Sequence, residues 1–225
     1  MTSFGLVYEG LTDKVVIKNI LSGYFNAQKF RLRPLQPELD ETDSSRVVGD
    51  TGWHPIIEYV GSNAFYESFQ FLDFVIVQID TDVCEQKHYD VPRYEDGVEL
   101  EPLQLLERVR DRFRVWMGKD FYDAYRDKII FAIAVDSIEC WLLPLYYPND
   151  RAKRAKWKNC LDTLNPALNS EYGFTISAKE ESYYQKASKP YAKRKTLLQA
   201  APHNPSLKAF IEELDSRNLI AESEA

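Results

Sequence analysis

Carboxylates follow three apolar runs of this 225-residue chain, and each run is short enough to form a single strand. Each run ends at or just before an acid, and a second acid follows within four residues. Carboxylates grouped in this way perform general acid–base chemistry or bind hard divalent cations. The acids are Glu9, Asp13, Asp80, Asp82, Asp136 and Glu139.

The hydrophobic pattern predicts the elements that position these acids. Buried strands are predicted at residues 4–8 (FGLVY), 72–80 (LDFVIVQID) and 128–136 (KIIFAIAVD), and an edge strand containing Pro34 at residues 29–35. Helices are predicted after an N-cap at Thr12, across 53–71 with an interruption at 61–63, across 103–121, and from Ser137. Nearly continuous apolar strands are typical of a parallel sheet that is covered on both faces.

The predicted fold is therefore α/β, with a mostly parallel, Rossmann-like sheet flanked by helices. Residues 1–147 are expected to form the α/β core. Residues 148–225 contain no further convincing strand and are expected to form a helical, basic region packed on that core.

Strand order along the chain brings the acids together. In a parallel sheet with right-handed crossovers, the carboxyl ends of all strands lie at one edge, where such folds bind ligands. So many acids in one cleft would repel one another unless cations neutralised them, and oxygen ligands favour Mg²⁺ or Mn²⁺ over Zn²⁺. We therefore expect a divalent metal site, with two ions.

The charge distribution leaves two interpretations open. A net charge of −7 and a pI near 5.1 disfavour nonspecific coating of nucleic acid. Two segments, residues 151–158 and 186–195, nevertheless carry five basic residues each. With the interleaved aromatic residues they could follow a phosphate backbone and stack bases, or they could be solvated helix faces whose rings pack on the core. The aromatic residues are Trp157, Tyr183, Tyr184 and Tyr191.

Three short motifs together resemble a known family. They are EGLTD after the first strand, DTD after a later buried strand and SIE after the next. In this order they resemble the Toprim fold of topoisomerases and DnaG-type primases. More narrowly, they are similar to the Toprim nucleases of the OLD (overcoming lysogenization defect) family and to small stand-alone relatives in phage-defence loci. The resemblance covers roughly residues 4–146.

The resemblance implies a two-metal nuclease that hydrolyses phosphodiester bonds, of DNA rather than RNA. Asp80 would anchor the main ion, Glu9 would be a ligand or a general acid–base group, and Asp82 would complete the catalytic carboxylates. A lysine farther along would assist at the transition state; Lys189, Lys193 and Lys195 are candidates, and Lys193 is preferred. The implied metal-binding set is Glu9, Asp13, Asp80, Asp82, Ser137 and Glu139.

The chain also departs from that family. OLD proteins usually carry an ATPase domain, but MGKD (residues 117–120) has Asp where a Walker A motif needs Ser or Thr. Any ATPase, or another defence-system subunit, would then be a separate chain. Asp13 stands where a longer Glu is common, which leaves the second metal position less well defined.

Two other functions are compatible with the motifs. Haloacid-dehalogenase-type phosphatases also use DxD, but normally on the first strand, whereas here the motif follows the third. A second alternative is a catalytically silent Toprim-like module that binds a partner protein or nucleic acid, since fold does not determine function.

The remaining expectations concern the cysteines, the location of the protein and its oligomeric state. The three cysteines are odd in number and lack CxxC spacing, so they are expected to be reduced and structural. The start of the chain lacks the pattern of a signal peptide, and no apolar run is long enough for a membrane span, so a cytoplasmic protein without a membrane partner is expected. A free edge strand around Arg31 would permit a homo-oligomer.

Overall fold

A computed structural model describes residues 1–26, 28–39, 47–48 and 50–219 of the chain. The strands are β1 (Thr2–Val7), β2 (Phe30–Gln36), β3 (Glu38–Leu39), β4 (Val47–Val48), β5 (Phe74–Asp80), β6 (Tyr94–Glu95), β7 (Val98–Glu99) and β8 (Ile129–Ala134). Four of them form one parallel sheet in the order β2-β1-β5-β8. The pairs β3–β4 and β6–β7 are short antiparallel ribbons. The predicted α/β class with a parallel sheet is confirmed.

Helices cover both faces of the sheet. They are α1 (Leu11–Phe25), α2 (Trp53–Val60), α3 (Asn63–Ser68), α4 (Pro102–Trp116), α5 (Lys119–Tyr125), α6 (Glu139–Tyr146), α7 (Arg151–Arg154), α8 (Cys160–Tyr172), α9 (Glu181–Ser188), α10 (Arg194–Ala200) and α11 (Pro205–Ser216). Within the described ranges, no helix is both long and apolar enough to cross a membrane.

Alternating strand residues supply two separate cores. On β8, Ile130 and Ala132 face the core that contains α1, α6 and the helices from α8 onwards, while Ile129 and Phe131 face the core formed with α2, α3 and α4. β5 divides in the same way, with Ile76 on the first side. This double burial explains why β5 and β8 are apolar at nearly every position rather than at every second one.

The order in which the chain adds strands to the sheet reverses beside β1. It passes from β1 through α1 to β2 on one side, and then crosses to β5 on the other side of β1. The carboxyl ends of β1 and β5 therefore flank the point at which strand order reverses. Open α/β sheets bind their ligands in the crevice at this point.

The region after residue 148 is helical and contributes to the first core. α9 and the 3-10 turn Lys189–Ala192 pack against α1, and α11 packs along β8. Buried side chains from these elements, such as Tyr184 and Phe210, belong to the same cluster as Phe4 of β1. The first core is therefore completed only by residues distant in sequence.

Several element boundaries differ from those predicted. α1 begins at Leu11 after the cap residue Gly10, so Thr12 lies inside the first turn instead of capping it. The helix predicted across 103–121 is divided into α4 and α5, because Gly118 adopts φ 79° between them. α6 begins at Glu139, two residues after the predicted start. The predicted break at 61–63 does separate α2 from α3.

A disulfide joins Cys140 to Cys160, which overturns the expectation that all cysteines are reduced. It links the first turn of α6 to the first residue of α8. Cys84 is the free cysteine and is buried. Odd cysteine number and spacing did not reveal the pair, because the partners are brought together by helix packing.

Candidate active site

Glu9 follows β1 and is fixed by its backbone. Its N–H donates to Gln78 Oε1 at 3.1 Å, and its carbonyl accepts from Gly52 N–H at 2.9 Å. Gly10 then adopts an extended conformation and leads into α1, so that Asp13 falls in the first helical turn and is buried. The turn between β1 and α1 thus directs two carboxylates towards the switch point of the sheet.

Asp80, the last residue of β5, lies beside Glu9. Its backbone N–H donates to Glu9 Oε1 at 2.7 Å, which joins the carboxyl ends of the two central strands. Its own carboxylate accepts from Gln78 Nε2 at 3.0 Å, and its carbonyl accepts from the hydroxyl of Tyr89 at 3.0 Å. Asp80 is only 3% exposed, so little water is present to compensate its charge.

Glu139 lies in the same region of the molecule as Asp80. It is the first residue of α6, it is 4% exposed, and it accepts a hydrogen bond from the hydroxyl of Tyr184 on α9. We define the acidic cluster as Glu9, Asp13, Asp80 and Glu139. Through Tyr184, the region after residue 148 contacts this cluster directly.

The pKa values of these acids show how closely their charges interact. Burial and the nearby charge of Asp13 raise the pKa of Glu9 to about 8. Burial raises the pKa of Asp13 to about 7, with Glu139 acting in the same direction. Burial, Asp13 and Glu9 together raise the pKa of Asp80 well above its usual range. Negative charge in the acidic cluster is therefore incompletely compensated by the chain itself.

Lys179 places a cation beside the acidic cluster, and the sequence pattern did not predict it. It lines a cavity of about 280 Å³ together with Glu9, Asp13 and the loop Thr51–Gly52. Burial lowers the pKa of Lys179, but the field of Asp80 and the other acids of the cluster outweighs burial and raises it. Lys179 lies in an irregular segment before α9, where a lone lysine among polar residues gave no signal in the sequence.

The predicted lysines lie elsewhere. Lys193, the preferred candidate, is exposed and precedes α10, and Lys189 and Lys195 are also exposed. None of the three lines the cavity beside Glu9 and Asp13. The geometry thus favours Lys179 as the lysine that accompanies the carboxylates.

The remaining predicted site residues lie at the margin of the cluster. Asp82 is exposed as a residue, but neighbouring groups partly remove its carboxylate from water, and this desolvation together with the charge of Asp136 raises its pKa. Ser137 is half-buried, and its carbonyl accepts from Cys140 N–H at 3.0 Å as α6 begins. The side chain of Asp136 accepts from the backbone N–H of Asn159 at 3.0 Å, outside the acidic cluster.

The basic segments are only partly available to a ligand. In residues 151–158, Lys158 pairs with Glu99, Lys156 donates to Thr163 Oγ1 at 2.7 Å, and Arg154 donates to a backbone carbonyl. Tyr184 and Tyr191 are fully buried, so they cannot stack on bases. For these two rings the core-packing interpretation is correct.

The donor chemistry of the acidic cluster suits a hard divalent cation, because all four of its side chains supply carboxylate oxygens. Within the described part of the chain, however, no three or more His, Cys, Asp or Glu side chains are arranged as around a bound metal ion. Glu9 and Glu139 instead use carboxylate oxygens to accept hydrogen bonds. Binding would require these side chains to turn towards a common point.

A buried hydroxyl group lies near the acidic cluster. Tyr8 is fully buried, and its hydroxyl oxygen makes no hydrogen bond to any residue that the structure describes. Burial and the charges of Glu181 and Asp13 raise its pKa, which keeps it protonated and able to donate. An unpaired donor beside these acids is a polar group that a ligand or its water shell would satisfy.

The chain was compared with protein-family models, with curated proteins and with solved structures, and no match was found in any of the three comparisons.

Proposed function

We propose that this protein is a divalent-metal-dependent nuclease that hydrolyses phosphodiester bonds of nucleic acid. The observation that carries the proposal is the convergence of Glu9, Asp13, Asp80 and Glu139 with Lys179 at the switch point of a parallel sheet. The raised pKa values support it, because an acidic cluster this poorly compensated gains most from a bound cation.

The acidic cluster would hold Mg²⁺ or Mn²⁺, with Asp82 at the exposed margin as a further ligand. When bound, such ions activate water and stabilise negative charge on a phosphate group. Lys179 would bind a non-bridging phosphate oxygen and stabilise the charge that develops there. Glu9, once its neighbours are neutralised, would serve either as a ligand or as the group that accepts a proton from the attacking water.

Nucleic acid would approach across the exposed lysines of the second basic segment. Lys189, Lys193 and Lys195 are exposed, and cations of this kind bind phosphates without reading sequence. DNA is the expected substrate. A separate ATPase or other defence-system subunit is the expected partner, as the motif resemblance implies.

The direct test is cleavage of supercoiled plasmid, linear single-stranded DNA and structured RNA by the purified chain with Mg²⁺, Mn²⁺ or EDTA. We expect metal-dependent cleavage that is lost in Asp80→Ala and Glu9→Ala. Glu171→Gln, an exposed acid on α8, is the matched control and should cleave like wild type. Cleavage that persists in EDTA or in Asp80→Ala would exclude this site as its source.

The second candidate is a catalytically silent module that binds a partner. The hydrogen bonds that occupy Glu9 and Glu139 favour it, because they hold carboxylates away from a metal arrangement. Calorimetry with Mn²⁺ discriminates the two. Absence of both binding and cleavage would favour the silent module, whereas binding without cleavage would indicate a nuclease that requires its activating partner.

A further inference from the structure

Asp136 connects the turn after β5 to the turn after β8 through its backbone. Its N–H donates to Thr81 Oγ1 at 2.8 Å, and its carbonyl accepts from Thr81 N–H at 3.0 Å. Thr81 is fully buried between the acids Asp80 and Asp82. Asp136 itself adopts φ 65°, a left-handed conformation that Asp and Asn tolerate better than most residues.

The side chain of Asp136 extends this connection to two further segments. One carboxylate oxygen accepts from the backbone N–H of Asn159 at 3.0 Å. The other lies 3.7 Å from the guanidinium of Arg93, which also donates to the Thr81 carbonyl. The Arg93 side chain is only 12% exposed, so its charge is well placed to compensate that of Asp136.

We propose that Asp136 is a positioning residue of the site and not a metal ligand. It forms a clasp, defined as Thr81, Arg93, Asp136 and Asn159, that holds the turn bearing Asp82 against the turn that leads to Glu139. This role rests on the function proposed above. Both carboxylate oxygens of Asp136 lie close to partners outside the acidic cluster.

A covalent link reinforces the clasp. Asn159 is followed by Cys160, whose disulfide reaches Cys140, the neighbour of Glu139. The start of α8 is therefore attached to the β8–α6 connection on both sides of Glu139, by Asp136 before it and by Cys140 after it. Displacement of Asn159 would therefore shift the segment that determines the position of the Glu139 carboxylate.

Three variants test the role of Asp136. Asp136→Gly removes the carboxylate and tolerates the left-handed backbone, whereas Asp136→Asn keeps an oxygen that can accept from Asn159 N–H. Asp80→Asn removes a carboxylate of the acidic cluster and is the reference for a lost ligand. Each is compared with wild type in hydrogen exchange, in Mn²⁺ stoichiometry by calorimetry, and in cleavage rate.

We expect the Asn159 amide to exchange about fivefold or more faster in Asp136→Gly, because one hydrogen bond is lost, and to recover protection in Asp136→Asn. Both variants should bind as many Mn²⁺ ions as wild type, and cleavage lost in Asp136→Gly should return in Asp136→Asn. Asp80→Asn should bind fewer ions.

Two results would overturn the assignment. If Asp136→Asn binds fewer ions, as Asp80→Asn does, then Asp136 is a ligand. If Asn159 stays equally protected in Asp136→Gly, then the clasp does not hold that segment. Hydrogen exchange needs no metal, so a wild-type protein that binds no Mn²⁺ would defeat the proposed nuclease function while the exchange experiment still decides the clasp.

Discussion

At the scale of single residues, the acidic cluster is organised by backbone donors as much as by side chains. The N–H of Asp80 donates to Glu9, so the position of one carboxylate depends on the strand that carries another. Gln78, buried two residues earlier on β5, bonds to both Asp80 and the Glu9 backbone. Without a ligand, the central acids are therefore held in place by these hydrogen bonds, at the cost of mutual repulsion.

That repulsion predicts how the stability of the metal-free protein depends on pH. The ordinary pKa of a Glu side chain is 4.5, but burial and the charge of Asp13 raise the pKa of Glu9 to about 8 in the folded protein, and burial raises the pKa of Asp13 to about 7. Between these values the folded state binds more protons than the unfolded state, so raising the pH lowers the free energy of unfolding. We expect the melting temperature in EDTA to fall from about pH 5 to about pH 8.

Asp80→Asn provides the control for this pH dependence. It removes a charge that raises the pKa of its neighbours, so its melting temperature should fall less steeply over the same range. Added Mn²⁺ should raise the melting temperature of wild type at the upper end of this pH range, and should raise that of the variant less. A wild-type melting temperature that rises with pH would contradict the raised pKa values.

Lys179 allows a second test at this scale. Lys179→Met removes the charge that offsets the acids and, if the protein cleaves nucleic acid, the cleavage rate should fall about 10²-fold or more. Lys193→Met, the same substitution of an exposed lysine in the second basic segment, should weaken binding of the nucleic acid but change the cleavage rate at saturating nucleic acid much less. Cleavage rates measured at saturating Mn²⁺ separate the two. Loss of activity only in Lys193→Met would restore the assignment made from sequence.

At the scale of elements, strand ends could be predicted from the sequence, but the loops that meet them could not. Continuous apolar character located β5 and β8, and the parallel-sheet rule then placed Glu9, Asp80 and Glu139 at one edge. Lys179 and Gly52 reach that edge from irregular segments without local periodicity. Their positions depend on long-range packing, which no short window of sequence encodes.

The disulfide between α6 and α8 gives an element-scale prediction. It closes a loop of 20 residues, and in the chain-entropy description a crosslink of this length contributes about 3 kcal/mol to the free energy of unfolding. Reduction, or Cys160→Ser, should lower the free energy of unfolding by about that amount. Urea unfolding with and without dithiothreitol measures it.

Cys84 supplies the control for that experiment, because it is buried and unpaired. Cys84→Ala should lose some stability through the cavity it leaves, yet keep the difference between oxidised and reduced protein. A wild-type protein whose urea midpoint is unaffected by dithiothreitol would show that the crosslink does not stabilise the fold.

At the scale of the whole molecule, the α/β core and the helical region after residue 148 share one hydrophobic cluster. Tyr191 is fully buried, and its hydroxyl donates to the carbonyl of Trp141 on α6. Arg194 donates to the carbonyl of Tyr24 on α1. The sequence left two interpretations of the basic segments open, a phosphate-binding surface and rings packed on the core, and Tyr191 and Arg194 hold the first core together.

Gly23 of α1 lies against the backbone of the region after residue 148 and provides a test of whether the two parts pack together. A Cβ added at this position of α1 would lie 1.9 Å from the backbone carbonyl oxygen of Tyr191, and a backbone atom cannot rotate away as a side chain can. Gly to Ala inside a helix ordinarily stabilises, by about 0.5–1 kcal/mol. Here we expect Gly23→Ala to lower the free energy of unfolding by about 3 kcal/mol.

Ser22→Ala, at the neighbouring and partly exposed position of α1, is the matched control, and should change stability by less than about 1 kcal/mol. Urea unfolding of both variants should give one cooperative transition, since strain at Gly23 acts on a core shared by both parts. If Gly23→Ala were as stable as wild type, α1 would not pack on the Tyr191 backbone. If instead it showed two separate transitions, the region after residue 148 would unfold independently of the sheet.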